Sequence, residues 1–290
     1  MRKKLVAALL GLSVAGCLPE SLLIEVTPAP SKVVVSSINI DTLGLAVLLT
    51  RSFSALEGND DSLTQDFINQ IVVAEAEVSL TIDDQSIDLT QIEEIDGIYF
   101  TDDLPVQDNQ RLRLDIFDPA SNSAVFAETT AMPPISLDTA VFFEEIVDED
   151  TIQRLYYEFT DPSGTDNWYS LNVFDPFTLA DEVGENIFSL NGGNSGAIYE
   201  RLISDQEFEG AIFSDTVRLS RTSESDTIAF FFSNISEGYF RFLDVRQRFG
   251  GILSDSEPVN FPSNVIGGLG YFTFNNPRIR VVRKEKSAED

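Results

Sequence analysis

Histidine is absent from this 290-residue sequence, and cysteine occurs only once, at position 17. The lack of histidine excludes Ser-His-Asp and Cys-His catalysis and every histidine-ligated zinc or iron site. A single cysteine excludes an internal disulfide, so the folded body must be held together by packing. Positive charge is also scarce, since 19 Lys and Arg stand against 48 Asp and Glu and give a net charge of −29. So acidic a chain is expected to repel nucleic acid and anionic membrane surfaces.

Long apolar runs are missing as well, because no stretch reaches the roughly eighteen residues of a membrane span. The first sixteen residues have the parts of an export signal: cations at Arg2 to Lys4, an apolar run at Leu5 to Leu12 and a small-residue cleavage site. That site, Val14-Ala15-Gly16-Cys17, resembles a bacterial lipobox, in which the cysteine is lipidated and becomes the new N-terminus. The alternative is an ordinary signal peptide that happens to contain cysteine. We predict a signal peptide over residues 1–16, then lipidated Cys17 and a proline-bearing tether to residue 31.

The remaining chain has the pattern of a β-protein. Apolar and polar residues alternate over Ala76 to Ile82 and over Arg111 to Phe117, which predicts half-buried strands. Short strands between polar turns are typical of antiparallel sandwiches. We predict a mostly β fold with an Ig- or transthyretin-like sandwich over residues 32–132. A larger antiparallel β-domain, a sandwich or a barrel, follows over residues 135–284, and residues 285–290 form a charged tail.

One helix is predicted, over residues 237–249. Ser236 can cap its first turn, and Gly250-Gly251 follows its last residue. Tyr239 and Phe242 fall near one face of this helix, which favours packing on a sheet. Binding of a partner through that face is the alternative.

Several segments, taken in order, resemble the Bacteroidetes-type family of outer-membrane lipoproteins called domain of unknown function 4249. After the lipobox they are KVVVSSINI from Lys32, AEVSLTIDD from Ala76, FTDPSGTDNWY from Phe159, SDQEFEG from Ser204 and NVIGGLGYF from Asn264. Such proteins are commonly encoded beside TonB-dependent outer-membrane receptors. The resemblance therefore implies an accessory role in uptake with such a receptor as partner, and it implies no catalytic residues. The acidic segment Leu56 to Gln70 departs from the family pattern.

These observations lead us to expect an outer-membrane lipoprotein that works in nutrient uptake beside a TonB-dependent transporter, without a cofactor and without enzymatic activity. A structural or adhesive surface lipoprotein is the alternative, and a glycan-active enzyme is a third hypothesis. Leu18 follows Cys17 where an Asp would signal inner-membrane retention. Glu20 and Glu25 provide only a weak acidic surface-export signal. The sequence favours the cell surface and leaves a periplasm-facing position and the oligomeric state open.

Two kinds of acidic motif are candidates for chemistry. Paired carboxylates such as Glu144-Glu145 and Asp83-Asp84 could serve glycoside hydrolysis, but adjacent residues on a strand point to opposite faces. A polar turn also offers oxygen ligands for Ca²⁺, the alternative being an ordinary hairpin turn. Its candidate ligands are Asp161, Ser163, Thr165, Asp166 and Asn167.

Asp followed by Ser or Thr and then a small or aliphatic residue recurs along the chain. This triplet resembles the O-glycosylation acceptor of exported proteins in the same bacterial group. The candidate acceptors are Thr42, Ser62, Thr139, Thr151, Thr216 and Thr227. The alternative is that Asp-Thr opens strands, because Asp suits turns and Thr suits strands.

Replacing the single cysteine tests the anchor. We expect Cys17→Ser to leave the fold intact and to move the protein from the membrane fraction to the soluble fraction, because the acyl chains supply the membrane affinity. Fractionation and circular dichroism measure the two effects. A variant that still sediments with membranes would contradict the lipid anchor.

Overall fold

The computed structural model describes residues 30–39, 44–52, 69–93, 95–102, 104–176, 197–219, 222–223, 225–249 and 261–285. These residues form seventeen strands in four sheets and one α-helix of 13 residues. Nearly all strand pairs are antiparallel, and the sheets stack in the manner of sandwiches. The predicted mostly β fold is confirmed. Within the described residues, no helix has the length and apolar character that crossing a bilayer requires.

Two five-stranded sheets form the first sandwich. Sheet I contains β1 (Val33–Asn39), β2 (Leu45–Arg51), β5 (Thr90–Gln91), β6 (Ile98–Thr101) and β16 (Leu269–Tyr271). Sheet II contains β3 (Glu77–Ile82), β4 (Gln85–Asp88), β7 (Arg111–Asp118), β8 (Ser123–Thr130) and β15 (Val265–Ile266). The strand orders are β16-β1-β2-β6-β5 and β15-β8-β7-β3-β4. Each sheet therefore has at one edge a short strand from far down the chain.

Side-chain alternation builds the core between sheets I and II. Val78, Leu80 and Ile82 of β3 are buried, while the residues between them are half-buried. Leu112 and Leu114 of β7 are buried in the same way, so the alternation predicted for both segments is confirmed. These side chains join one apolar cluster, in which burial of each large side chain contributes about 1.5–3 kcal/mol.

An ion pair between a half-buried arginine and a buried carboxylate connects the two sheets of the first sandwich. Arg51 at the end of β2 donates to the fully buried carboxylate of Asp118 at 2.5 Å. The Ser121 hydroxyl donates to the same carboxylate at 2.6 Å. Burial raises the pKa of Asp118, but the hydrogen bonds from Ser121 and Arg51 outweigh it and hold the pKa below its ordinary value. The resulting stability is present above the ordinary pKa of Asp and is lost as pH falls through the depressed value.

Residues 264–275, here called the C-terminal clip, close one side of the first sandwich. β15 pairs with β8 of sheet II, and β16 pairs in parallel with β1 of sheet I. Phe272 and Phe274 enter the core between the sheets. The Asn264 side chain donates to the Phe272 carbonyl at 2.7 Å and accepts the Phe272 N–H at 2.8 Å. A single amide side chain thus holds the turn of the clip in shape.

Glycine allows the clip to lie directly against β1. A Cβ at Gly270, where φ is +95°, would lie 2.0 Å from the carbonyl oxygen of Val35. A Cβ at Gly268 would lie 2.6 Å from the carbonyl oxygen of Val33. Both distances are far below van der Waals contact, so only glycine fits this approach of two backbones.

Sheets III and IV form the second sandwich. Sheet III contains β9 (Thr139–Val147), β10 (Asp150–Thr160) and β13 (Ile212–Arg218), and sheet IV contains β11 (Trp168–Phe174), β12 (Tyr199–Ser204), β14 (Thr227–Ile235) and β17 (Arg278–Arg283). The strand orders are β13-β10-β9 and β12-β11-β14-β17. Aromatic rings fill much of the core: the Phe159 ring centroid lies 4.8 Å from those of both Tyr169 and Phe232. Such ring pairs contribute about 0.5–1.5 kcal/mol beyond their burial.

The helix, α1 (Glu237–Phe249), has the predicted bounds. The Ser236 hydroxyl accepts the Tyr239 N–H at 3.3 Å, so the predicted cap is present, whereas Gly250-Gly251 lies outside the described residues. α1 packs against β11 and β12, which confirms the prediction of a helix on a sheet. The rings of Tyr239 and Phe242 also lie 5.3 and 5.6 Å from the ring of Tyr271 in the clip. The helix therefore contacts both sandwiches.

The structure differs from the predicted domain boundaries at the clip. We assigned residues 135–284 to the second domain, but the clip lies within that range and completes the first sandwich. The Ser37 hydroxyl and the Thr273 backbone exchange hydrogen bonds of 2.8 and 3.0 Å across 236 residues of sequence. An alternating pattern tells which face of a strand is buried and carries no information on which distant strand it will pair with.

Replacing glycine in the clip tests the close approach. We expect Gly270→Ala to lower the free energy of unfolding by more than the roughly 1–3 kcal/mol that positive φ alone costs, because the new methyl group meets the Val35 carbonyl. Urea unfolding followed by circular dichroism measures this loss. Gly164→Ala is the control, since its φ is +91° and a Cβ there has nothing within 4 Å. Equal losses in the two variants would contradict the steric argument.

Candidate functional site

Part of the predicted site lies outside the described residues. Cys17, Thr42 and Ser62 belong to that part. Lipidation of the cysteine and glycosylation of the other two therefore stay predictions.

The predicted calcium turn connects β10 with β11. Asp161, only 2% exposed, accepts hydrogen bonds from the Tyr169 hydroxyl and from the Gly210 N–H, the latter at 2.7 Å. Burial, and after it the hydrogen bond to Asp161, raises the pKa of the Tyr169 hydroxyl far above its ordinary value. The neutral, donating form of Tyr169 is thereby favoured, and the carboxylate is held by two protein donors.

A second buried carboxylate holds the same turn. Asp205 is 1% exposed and accepts the Asn167 N–H at 2.6 Å, while its own backbone N–H donates to the Asn167 carbonyl at 3.2 Å. The Asn167 side chain donates to the carbonyl oxygens of Thr165 and Pro162 at 2.7 and 3.3 Å. Residues 161–167 are thus joined to residues 205–211, which include a 3₁₀ turn at Asp205–Glu207. We call these two loops together the locked turn.

The locked turn engages the two most buried of the predicted calcium ligands, Asp161 and Asn167, in hydrogen bonds within the protein. The other predicted ligands are exposed on the turn: Ser163, Thr165 and Asp166. In the described ranges, no group of three His, Cys, Asp or Glu residues could hold a metal ion. Sequence reasoning missed Asp205 and Gly210, whose only signal was their place in the SDQEFEG segment. The hydrogen bonds of Asp161 and Asp205 fix the two loops to each other. Calcium binding by the exposed residues of the turn stays a prediction.

Four candidate glycosylation acceptors are described, and three of them are the first or second residue of a strand. These are Thr139 in β9, Thr151 in β10 and Thr227 in β14. Their positions favour the alternative that Asp-Thr opens strands. Thr216 differs because it is exposed within β13, and its neighbour Asp215 forms an ion pair with Arg201. Glycosylation stays a prediction at all four positions, and strand opening explains Thr216 least well.

The paired carboxylates of β9 do not face each other. Glu144 accepts a hydrogen bond from Lys284 at 2.9 Å, and Glu145 forms an ion pair with Arg154. The Lys284 ammonium holds the pKa of Glu144 below its ordinary value. Each carboxylate thus has its own cation, which is unlike two groups that flank a glycosidic bond.

Exposed aromatic rings can stack on sugars, and three aromatic residues of the second sandwich are candidates for such a role. Tyr169 is fully buried, Tyr199 packs against the same core, and Trp168 is half-buried on β11. Tyr169 therefore presents no face to a ligand.

A surface depression of about 320 Å³ lies beside the first residues of β10. Its lining residues are Thr151, Ile152, Gln153, Arg218, Leu219 and Thr222. The buried side chain of Gln153 ties β10 to the segment after β13. It donates to the Ser223 carbonyl at 2.9 Å and accepts the Ser223 N–H at 2.8 Å. The Ser223 hydroxyl in turn donates to the buried Asp175 at 2.6 Å. Sequence reasoning did not identify this depression, because its residues meet only when β10 pairs with β13.

A family model described as "Domain of unknown function (DUF4249)" matches residues 20–278. No curated protein matches the chain. The match covers the first sandwich, the clip and all strands of the second sandwich except β17, of which it includes only Arg278.

Two solved structures are similar to the chain at low identity. The FN1–FN3 domains of chicken CNTN1 are 11% identical, with 89% of this chain and 66% of that chain covered and a TM-score of 0.21. Pullulanase from Anoxybacillus sp. LM18-11 is 10% identical, with 69% of this chain and 24% of that chain covered and a TM-score of 0.20. These TM-scores are too low for either likeness to bear on function.

Removing one hydroxyl tests the locked turn. We expect Tyr169→Phe to lower the free energy of unfolding at neutral pH by about 1–3 kcal/mol, because the buried Asp161 carboxylate loses a donor. The raised pKa of Tyr169 stabilises the fold below the ordinary tyrosine pKa of about 10, and this contribution is lost as pH rises above it. The variant should therefore lose stability less steeply at alkaline pH than the unmodified protein. Urea unfolding at a series of pH values measures both effects.

Tyr156→Phe is the control for the locked turn. Its hydroxyl donates to the half-buried Glu158 at 2.7 Å on the outer face of sheet III. We expect a smaller loss there because water can replace the donor. Losses of the same size in both variants would contradict the special role of the buried pair.

Proposed function

The chain belongs to the DUF4249 family, and we propose that it is an outer-membrane lipoprotein that acts as a binding or accessory component beside a TonB-dependent transporter. The observation that carries the proposal is the lipobox-like segment Val14 to Cys17, followed by a segment with three prolines before residue 31. Several acyl chains on one cysteine would anchor the body stably, since a single chain binds a membrane only weakly. The receptor partner is implied by the family resemblance.

The charge of the chain supports a tethered body. A net charge of −29 repels anionic lipid head groups, so electrostatics oppose collapse of the body onto such a surface. The proposed proline-bearing tether then holds the folded part at a distance at which it can reach a neighbouring membrane protein. Anchoring and repulsion act together in this arrangement.

Several acidic side chains are engaged in hydrogen bonds and ion pairs within the protein, which supports a binding role over a catalytic one. Asp118, Asp161 and Asp205 are buried, and each accepts hydrogen bonds from donors of the protein itself. Glu144 and Glu145 each form an ion pair. Carboxylates held in this way stabilise the fold and are poorly placed to transfer protons to a substrate.

Affinity purification tests the proposed partner. The chain should be expressed in its own host with a tag after residue 290, because the N-terminus must stay free for lipidation, and extracted from outer membranes with a mild detergent. We expect a TonB-dependent receptor to co-purify in near-stoichiometric amount. Mass spectrometry of the eluate identifies it.

Cys17→Ser with the same tag is the matched control, because it keeps the folded body and removes the anchor. The amount of receptor that co-purifies with this variant should fall, since anchoring both partners in one membrane raises their effective concentration. Purification of the lipidated chain alone, from membranes in which the receptors are intact, would contradict the accessory role and favour the structural or adhesive alternative.

A further inference from the structure

Arg218 is the only cation among the described residues that line the depression beside β10. It is the last residue of β13 and is exposed. Within the described part of the chain, its guanidinium makes no hydrogen bond or ion pair, whereas seven of the twelve described arginines have a carboxylate partner. Its five N–H donors are therefore available to a molecule in the depression.

A second arginine adds positive charge beside the depression. Arg218 stands directly opposite Arg154 in the β10–β13 ladder, so the two side chains share one face of sheet III. Like charges in this position repel each other and destabilise the pair. Glu145 offsets the charge of Arg154 from the other side, through β9, and no described carboxylate offsets Arg218 in the same way. The repulsion would be relieved by an anion that binds Arg218.

The lining of the depression suits an oxyanion. Thr151 and Thr222 add hydroxyl donors, and none of the six described lining residues is acidic although the chain contains 48 Asp and Glu. Two carboxylates stand opposite lining residues in the β9–β10 ladder, and each is bound to a cation. Glu145, opposite Ile152, is bound to Arg154, and Glu144, opposite Gln153, is bound to Lys284. A volume of about 320 Å³ is at the lower end of the roughly 300–1,000 Å³ of small-molecule sites.

We propose that the depression binds a small oxyanion, a carboxylate or phosphate group, with Arg218 as the residue that holds its charge. A guanidinium binds such groups through two parallel N–H donors, which gives both affinity and orientation. The rest of the surface is acidic and repels anions. An anionic solute would therefore concentrate at the positive charges of Arg218 and Arg154 beside the depression. The inference is independent of the proposed transporter partner.

Titration with simple anions tests the site. Inorganic phosphate and acetate are added separately to the purified full-length lipoprotein in detergent, and binding is followed by calorimetry, with phosphorus NMR as a second readout for phosphate. We expect saturable binding at millimolar concentrations for at least one of them. Arg218→Gln should weaken it by about tenfold or more, because a charge-assisted hydrogen bond is lost. Arg218→Lys should recover only part of the affinity, because it keeps the charge and loses the paired donors.

Arg283→Gln is the matched control. Arg283 is exposed on β17 and lacks an ion pair among the described residues, so this variant removes the same charge from another place. It should bind the anion like the unmodified protein, and circular dichroism should show the same fold for all variants. Binding of phosphate alone would assign a phosphate group as the ligand, and binding of acetate alone a carboxylate. Absence of saturable binding, or equal weakening in Arg218→Gln and Arg283→Gln, would overturn the proposal.

Discussion

The backbones of Gly270 and Val35 lie so close together that no side chain fits between them, and the first sandwich depends on this contact. Through it, β16 extends sheet I, and the same clip provides β15 to sheet II. The clip also places Val265, Phe272 and Phe274 in a core that is otherwise built from the first 132 residues. Because the chain has no disulfide to hold its two ends together, this contact depends on packing and hydrogen bonds alone.

The clip also couples the first sandwich to the second. The chain passes from α1 to the clip and then to β17, and the rings of Tyr239 and Phe242 on α1 pack near Tyr271. The clip backbone meets the linker between the sandwiches where Met132 donates to the Phe274 carbonyl at 3.0 Å. Loss of the clip would therefore expose apolar surface on both sides of the junction. The locked turn and the depression beside β10 both belong to the second sandwich, so the clip and α1 connect them to the first.

Local features were predictable from the sequence, and long-range ones were not. The alternation in β3 and β7 and the cap of α1 at Ser236 depend on residues close in sequence, and the structure has them as predicted. The clip was placed in the wrong sandwich because Ser37 and Thr273 are 236 residues apart. The same holds for the candidate sites. The turn at Asp161 could be predicted from residues that are close together in the sequence. Its partners Asp205 and Gly210, and the opposition of Arg154 and Arg218, exist only once distant strands and loops meet.

The N-terminal sandwich is incomplete without the clip, and fragment complementation tests this dependence directly. A polypeptide of residues 30–132 is prepared, and its thermal unfolding is followed by circular dichroism with and without a synthetic peptide of residues 261–277. We expect no cooperative transition for the fragment alone and a cooperative transition when the peptide is added. The same peptide with Gly270→Ala should fail to restore it. A fragment that unfolds cooperatively at the same temperature with and without the peptide would contradict the account.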